Sequence, residues 1–238
     1  MNYRGILFDK DGTLLDFNRS WLPVYRHAAL VFADGDAHLA ERLLSEHGYD
    51  AGSKRFIGGS LLAAGNNRQI AVAWAGLAGS PQPAEELGRH LSSIFGELAP
   101  RHATAIDGLA DTLRTLRDRG LKLGVATADS RRGIADTLQA FDVLQHFDFL
   151  AGYDSGHGVK PDPGMVLAFC REAGLEASSV VVVGDNRHDI EMGRNAGAGL
   201  CVGVLTGTST RTDLESIADL VLDDITALPA VLQTTVSR

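Results

Sequence analysis

Short apolar runs alternate with amphipathic segments along the second half of the chain. Residues 121–127, 147–151, 180–184, 200–205 and 219–222 read as strands, and residues 131–141, 163–173 and 190–196 carry the apolar spacing of helices. Residues 180–183 are consecutive valines, and a run without polar alternation fits a strand buried on both faces. Such strands separated by helices predict an α/β core, a doubly wound, Rossmann-like parallel sheet with helices on both sides. Residues 3–8 form one more predicted strand at the start of the chain.

Residues 17–99 break this rhythm. Helical patterns at 37–47, 68–75 and 85–98 follow one another with no strand-like run between them, which predicts an all-helical insert. The expected division is a core of residues 1–16 and 100–238 with a helical cap of residues 17–99. Asp16-Phe17-Asn18 and Leu98-Ala99-Pro100 are the expected hinges, since a proline disfavours helix at the residue before it. An insert joined at two nearby points is expected to rock over the core as a lid. Residues 233–238 are expected to fray.

Composition narrows the classes of function. With 238 residues, 45% of them hydrophobic, the chain can bury a substantial core. A net charge of -8 and the lack of any Lys/Arg-rich run argue against a nucleic-acid partner, whose phosphates such a surface would repel. No apolar stretch approaches the roughly 20 residues that span a bilayer. Asp9 and Asp11 also interrupt the first apolar run before a signal peptide could form. A soluble cytoplasmic protein without a membrane partner is the expectation. Cys170 and Cys201 lie in apolar stretches without Cys-x-x-Cys spacing, which predicts buried, reduced thiols.

Ligands of open α/β sheets bind beyond the carboxyl ends of the strands, and four predicted ends carry polar groups. The first is Asp9-Lys10-Asp11-Gly12-Thr13-Leu14. Strand alternation would turn Asp9 and Asp11 to one side and Lys10 to the other, and two carboxylates that close need a cation or a shared proton. The second, Thr127-Ala128-Asp129-Ser130, offers a hydroxyl and backbone N–H groups where a helix should begin, a good place for phosphate. Lys160 is the third; Pro161 keeps it out of helical geometry, Asp162 can cap the next helix and Pro163 suits its first position. The fourth is Gly184-Asp185-Asn186-Arg187-His188-Asp189, whose spacing can return Asp189 to the side of Asp185.

Each piece alone has an ordinary explanation as a turn, a cap or a solvated charge, and Asp129 and His188 are read that way. Together, at successive strand ends, they form a specific constellation. Competing motifs fail: an EF-hand with Gly12 at its sixth position would need Leu7 as a calcium ligand. Gly-x-x-x-x-Gly-Lys-Ser/Thr, Gly-x-Gly-x-x-Gly and Gly-x-Ser-x-Gly do not occur.

These four motifs, in this order and with a helical insert after the first, resemble the haloacid dehalogenase (HAD) superfamily of phosphohydrolases over nearly the whole chain. Within it the chain is most similar to phosphoglycolate phosphatases and their near relatives. The resemblance implies that Asp9 is a nucleophile that becomes an aspartyl phosphate. It implies a Mg²⁺ held by the Asp9 carboxylate, the Asp11 backbone carbonyl and Asp185, with Asp189 orienting that shell. Lys160 would balance the charge of nucleophile and phosphate, and Thr127 and the N–H of Ala128 would hold phosphoryl oxygens. Asp11 would protonate the leaving alkoxide and then deprotonate the attacking water. Since halide leaves without a proton, an Asp at this position disfavours dehalogenation. Departures from the common phosphatase pattern are Ala128, Asn186 and Ile106-Asp107-Gly108; none removes a catalytic group.

The expected substrate is a small phosphorylated metabolite, with phosphoglycolate one candidate, handled by a monomer or homodimer. In the insert, Arg55 of the 53–59 segment is the candidate for a second anionic group of the substrate, against the ordinary reading of Lys54-Arg55 as a solvated pair. Trp74 and Phe95 are expected in the insert's own core. Two alternatives use similar residues: a phosphosugar mutase resembling β-phosphoglucomutase, and a non-enzymatic phosphoacceptor or regulatory domain.

Overall fold

In a computed structural model that describes residues 3–234, the chain begins with strand β1 (Gly5–Phe8). It then passes through α1 (Phe17–Phe32), α2 (Ala37–Ser45), strands β2 (Tyr49–Asp50) and β3 (Arg55–Phe56), α3 (Leu61–Ala64), α4 (Asn67–Ala78) and α5 (Ala84–His102). It continues through α6 (Leu109–Asp118), β4 (Lys122–Ala126), α7 (Arg131–Ala140), β5 (Phe149–Ala151), α8 (Gly164–Ala173) and β6 (Val180–Gly184). Last come α9 (Arg187–Ala196), β7 (Leu200–Val204), α10 (Arg211–Glu215), β8 (Leu220–Leu222) and α11 (Leu228–Thr234). Residues up to Asp16 and from Ala105 onward make one unit, and Phe17–Thr104 a second.

The first unit holds a six-stranded sheet in the order β5-β4-β1-β6-β7-β8. Every neighbouring pair is parallel. The alternation of side chains divides its apolar residues between two faces. Ile6, Phe8, Leu123, Val125, Val181 and Val183 pack with Leu113 of α6 and Ile134 of α7, whereas Leu7, Val180 and Val182 pack with Phe169 of α8 and Met192 of α9. A strand covered on both faces needs no polar residue, which is why β6 is unbroken valine up to its final glycine. Cys170 and Cys201 are free and buried.

The second unit is helical apart from the two-stranded antiparallel β2–β3 hairpin, an addition to the all-helical insert expected from the sequence. Strands of two residues are too short to show a period. Its core gathers Val24 and Tyr25 of α1, Leu43 of α2, Phe56, Trp74 of α4, and Leu91 and Phe95 of α5. The Tyr25 ring meets Trp21, Phe56, Trp74 and Phe95, while its hydroxyl donates to Leu62 O at 2.7 Å.

One local expectation is corrected. The exit hinge at Leu98-Ala99-Pro100 lies inside α5, which runs through Pro100 to His102. The buried face of Leu87, Leu91 and Phe95 anchors this helix, so it survives one missing N–H near its end. Of the residues expected to fray, Gln233 and Thr234 form the end of α11; residues 235–238 are outside the described residues. Among the described residues, no helix is long and apolar enough to cross a membrane.

Candidate active site

The register of the three central strands brings the polar ends together. Phe8 pairs with Val125 on one side and Val183 on the other, so Asp9, Thr127 and Asp185 all follow directly on strands aligned at the same level. Backbone bonds fix the exits: Asp9 N–H donates to Val183 O at 2.8 Å, and Thr127 N–H to Ala151 O at 3.0 Å.

Lys160, from the connection between β5 and α8, reaches this rim. Its Nζ lies 2.5 Å from Asp9 Oδ1 and 2.5 Å from Asp189 Oδ1. Asp162 Oδ1 accepts from Gly164 N–H at 2.9 Å, as a cap would, but α8 starts one residue later than the sequence predicts, at Gly164, with Pro163 before the helix. Asp189 is held from behind, because its Oδ2 accepts the N–H of Asn186 at 3.0 Å. Asn186 Oδ1 in turn accepts from His188 N–H at 3.2 Å, so the cap of α9 also sets the carboxylate.

Asp9, Asp185 and Asp189 form a buried group whose oxygens lie within 4.8 Å of one another. Burial pushes the Asp185 carboxyl well above its ordinary range, and the charges of Asp189 and Asp9 push it the same way. Burial also raises Asp9, against the pull of Lys160. On Lys160 itself burial acts downward, but Asp189 and Asp9 outweigh it and its pKa is raised. Three acids around one ammonium leave uncompensated negative charge, and an all-oxygen donor set suits a hard divalent cation.

A loop absent from the sequence reading completes this wall. Thr208 N–H donates to Asp185 Oδ2 at 3.1 Å, and Thr206 Oγ1 donates to Gly12 O at 2.6 Å. Gly12 (φ +84°) and Gly207 both press on Asp185: an added Cβ would lie 2.6 Å from its Cγ at Gly12 and 1.7 Å from its Oδ2 at Gly207. The Thr208 contact comes from backbone, so residue type gives little signal of it.

The first motif departs from the alternation expected of a strand. β1 ends at Phe8, and the chain then winds onto Lys10 O, which accepts from the N–H groups of Thr13 (3.3 Å), Leu14 (2.9 Å) and Leu15 (3.0 Å). A period of two does not apply to a turn. Asp11 and Lys10 are therefore not on opposite sides: Lys10 Nζ lies 2.8 Å from Asp11 Oδ2. It also lies 3.2 Å from Asp129 Oδ2, which gives Asp129 more than the ordinary role read from sequence. Lys10 is only 5% exposed. Burial acts to lower its pKa, yet Asp11 and Asp129 win and raise it.

Thr127 is buried and Ala128 exposed at the end of β4. The start of α7 beyond them is already engaged: Ser130 Oγ accepts from Gly133 N–H at 3.0 Å, and Asp154 Oδ1 accepts from Arg131 N–H at 2.8 Å. Those donors of the helix end are occupied, so an anion at this strand end would be held by the residues before it. Arg55, on β3, and Trp74 and Phe95, buried in the insert core, belong to the second unit.

Known proteins resemble this chain over most of its length. The model of the haloacid dehalogenase-like hydrolase family matches residues 3–197. The phosphoglycolate phosphatase of Escherichia coli (strain K12) is 30% identical over 205 residues, covering 82% of this chain and 78% of that protein. The phosphoglycolate phosphatase of Salmonella typhi is 30% identical over 202 residues, covering 82% and 79%. The crystal structure of a HAD-superfamily hydrolase of subfamily IA, variant 1, from Geobacter sulfurreducens PCA superposes with a TM-score of 0.72 at 20% identity, covering 97% of this chain and 96% of that one. Membership in a hydrolase family removes the non-enzymatic phosphoacceptor reading. The chain belongs to the haloacid dehalogenase-like hydrolase family, among its phosphatases.

Proposed function

We propose that the protein is a Mg²⁺-dependent phosphatase that hydrolyses a small phosphomonoester through an aspartyl phosphate on Asp9. The observation that carries this reading is the Lys160 bridge between Asp9 and Asp189, 2.5 Å to each, beside buried Asp185. A carboxylate is a weak nucleophile toward a phosphate dianion, and a cation against it lowers that electrostatic barrier. Mg²⁺, held by the Asp9 and Asp185 carboxylates and the Asp11 carbonyl, with Asp189 orienting that shell, would supply further neutralisation of phosphoryl charge.

Asp9 attacks phosphorus with its carboxylate oxygen while the P–O bond to the leaving group breaks. Asp11 gives its proton to the departing alkoxide. Water then attacks the phosphoenzyme, Asp11 takes the proton back, and inorganic phosphate leaves with Asp9 regenerated. Thr127 Oγ1 and the N–H of Ala128 hold phosphoryl oxygens, since the α7 donors behind them are taken. Arg55 answers a second anionic group of the substrate. Phosphoglycolate, on which the relatives from Escherichia coli and Salmonella typhi are named to act, has such a group in its carboxylate. The enzyme works in the cytoplasm as a monomer or homodimer.

The test is phosphate release from a panel of phosphorylated metabolites with Mg²⁺, with phosphoglycolate, pyrophosphate and hexose phosphates foremost. Phosphate appearing as fast as ester disappears excludes the mutase alternative. Asp9→Asn is expected to lose activity by about a thousandfold or more while remaining folded; substantial metal-dependent turnover by that variant would overturn the nucleophile assignment.

A further inference from the structure

We propose that Lys10 is a positioning residue that fixes the proton-transferring carboxyl of Asp11 and ties it to the loop after β4. The inference rests on the reading of Asp11 as acid and base. It starts from an oddity of burial: a lysine 5% exposed, between two aspartates of the core motifs, whose ammonium is paired with acids other than Asp9, Asp185 and Asp189. Its ammonium instead lies against Asp11 Oδ2 at 2.8 Å and Asp129 Oδ2 at 3.2 Å.

Asp11 sits on a turn beyond the end of β1, where its backbone makes an isolated bridge to Leu15 and its side chain is placed by its own contacts. Proton transfer requires its carboxyl within hydrogen-bond reach of the leaving oxygen, and a misplacement of about 1 Å can cost on the order of a hundredfold. The lysine stem is itself immobilised by burial, so its ammonium is a fixed reference point for Oδ2. With Oδ2 held, Oδ1 is the oxygen that carries the proton to the alkoxide and later receives one from water.

Asp129 supplies the other end of the tether. Its Oδ1 accepts from Ser130 N–H at 2.6 Å, and a side chain at Gly133 would meet it at 2.5 Å, so its own position is constrained. Asp129 follows Thr127 and Ala128 in sequence. The acid and the proposed phosphate-holding atoms are thereby referred to one buried charge.

The readout is the dependence of kcat/KM on the leaving group, which reports steps up to its departure. An alkyl ester such as phosphoglycolate needs a proton on its leaving oxygen, while dinitrophenyl phosphate releases a stable anion and does not. Lys10→Met is expected to lower kcat/KM by about tenfold or more for the alkyl ester and by less than about threefold for the aryl ester. Lys10→Arg, which keeps the cation, should recover most of the loss, and Asp129→Asn should shift the ratio in the same direction by less. Equal losses on both esters, or none on either, would overturn the proposal. If Lys10→Met does not fold, the Asp129→Asn ratio decides the matter by the same criterion. Asp11→Asn is the control: a leaving-group effect in it but not in the Lys10 variant sinks this inference alone. Its absence from Asp11→Asn sinks the acid assignment as well, and a wild type inactive on every ester sinks the phosphatase reading.

Discussion

Thr208 donates its backbone N–H to Asp185 Oδ2 at 3.1 Å, so a loop following β7 fixes a carboxylate that follows β6. Gly207 makes the approach possible, since a Cβ there would lie 1.7 Å from the same oxygen. Gly207→Ala is therefore expected to displace Asp185 and weaken Mg²⁺ binding by about tenfold or more, a difference of roughly 1.4 kcal/mol. Titration calorimetry with Mg²⁺ checks this without reference to turnover. Unchanged affinity would show that the Thr208 contact does not hold the ligand in place.

Removing Lys160 strips a buried cation from between two buried acids. Breaking a buried pair by deleting one partner costs about 3–5 kcal/mol, mainly because the other charge stays behind. Lys160→Met should accordingly be less stable than wild type by about 3 kcal/mol in metal-free urea unfolding at neutral pH, with part of the loss restored by Mg²⁺. A change below about 1 kcal/mol would contradict a structural role for the bridge.

The start of α9 gives a smaller effect of known sign. Asn186 caps the helix, and its own N–H is taken by Asp189. Asn186→Ala should cost about 1 kcal/mol, and Asn186→Ser much less, because serine also caps. Thermal unfolding of the two variants side by side distinguishes capping from a loss of packing, which both would share.

Asp148 links the starts of β4 and β5. It accepts from Leu123 N–H at 3.0 Å, pairs with Lys122 at 3.1 Å and also contacts Arg117. Burial works to raise its pKa, but the Leu123 hydrogen bond and the two cations overcome this and lower it. A carboxyl lowered in the folded state contributes stability above its unfolded pKa of about 3.9, and that contribution disappears as pH falls through the folded value. Asp148→Asn should thus be less stable by about 1 kcal/mol at pH 7, with the gap to wild type closing below about pH 4. A gap independent of pH would point to a different cause.

How far the sequence disclosed this molecule depends on whether the signal lay in residue type or in chain geometry. The valine run of β6 marked its own bounds because burial on both faces excludes polar residues. Lys160 was legible because two prolines and an aspartate surround it. Lys10 was misplaced, since the strand rule was extended past Phe8 into a turn, and its partner Asp129 looked like any residue before a helix. Thr208 acts through its main chain, and nothing in a threonine advertises that. Pro100 misled in the opposite way, since a long helix with three buried anchors outweighs one lost hydrogen bond.

The double pairing of β1 has a consequence for how this scaffold withstands change. Phe8 is registered against Val125 and Val183 at once, so shifting the first strand by a single step would require two ladders to break together and would turn its apolar side chains toward the wrong helices. Among the described residues, the edge strands β5 and β8 have a partner on one side only. Sequence drift can therefore remodel the margins of the sheet while the spacing of Asp9 from its neighbouring strand ends stays locked.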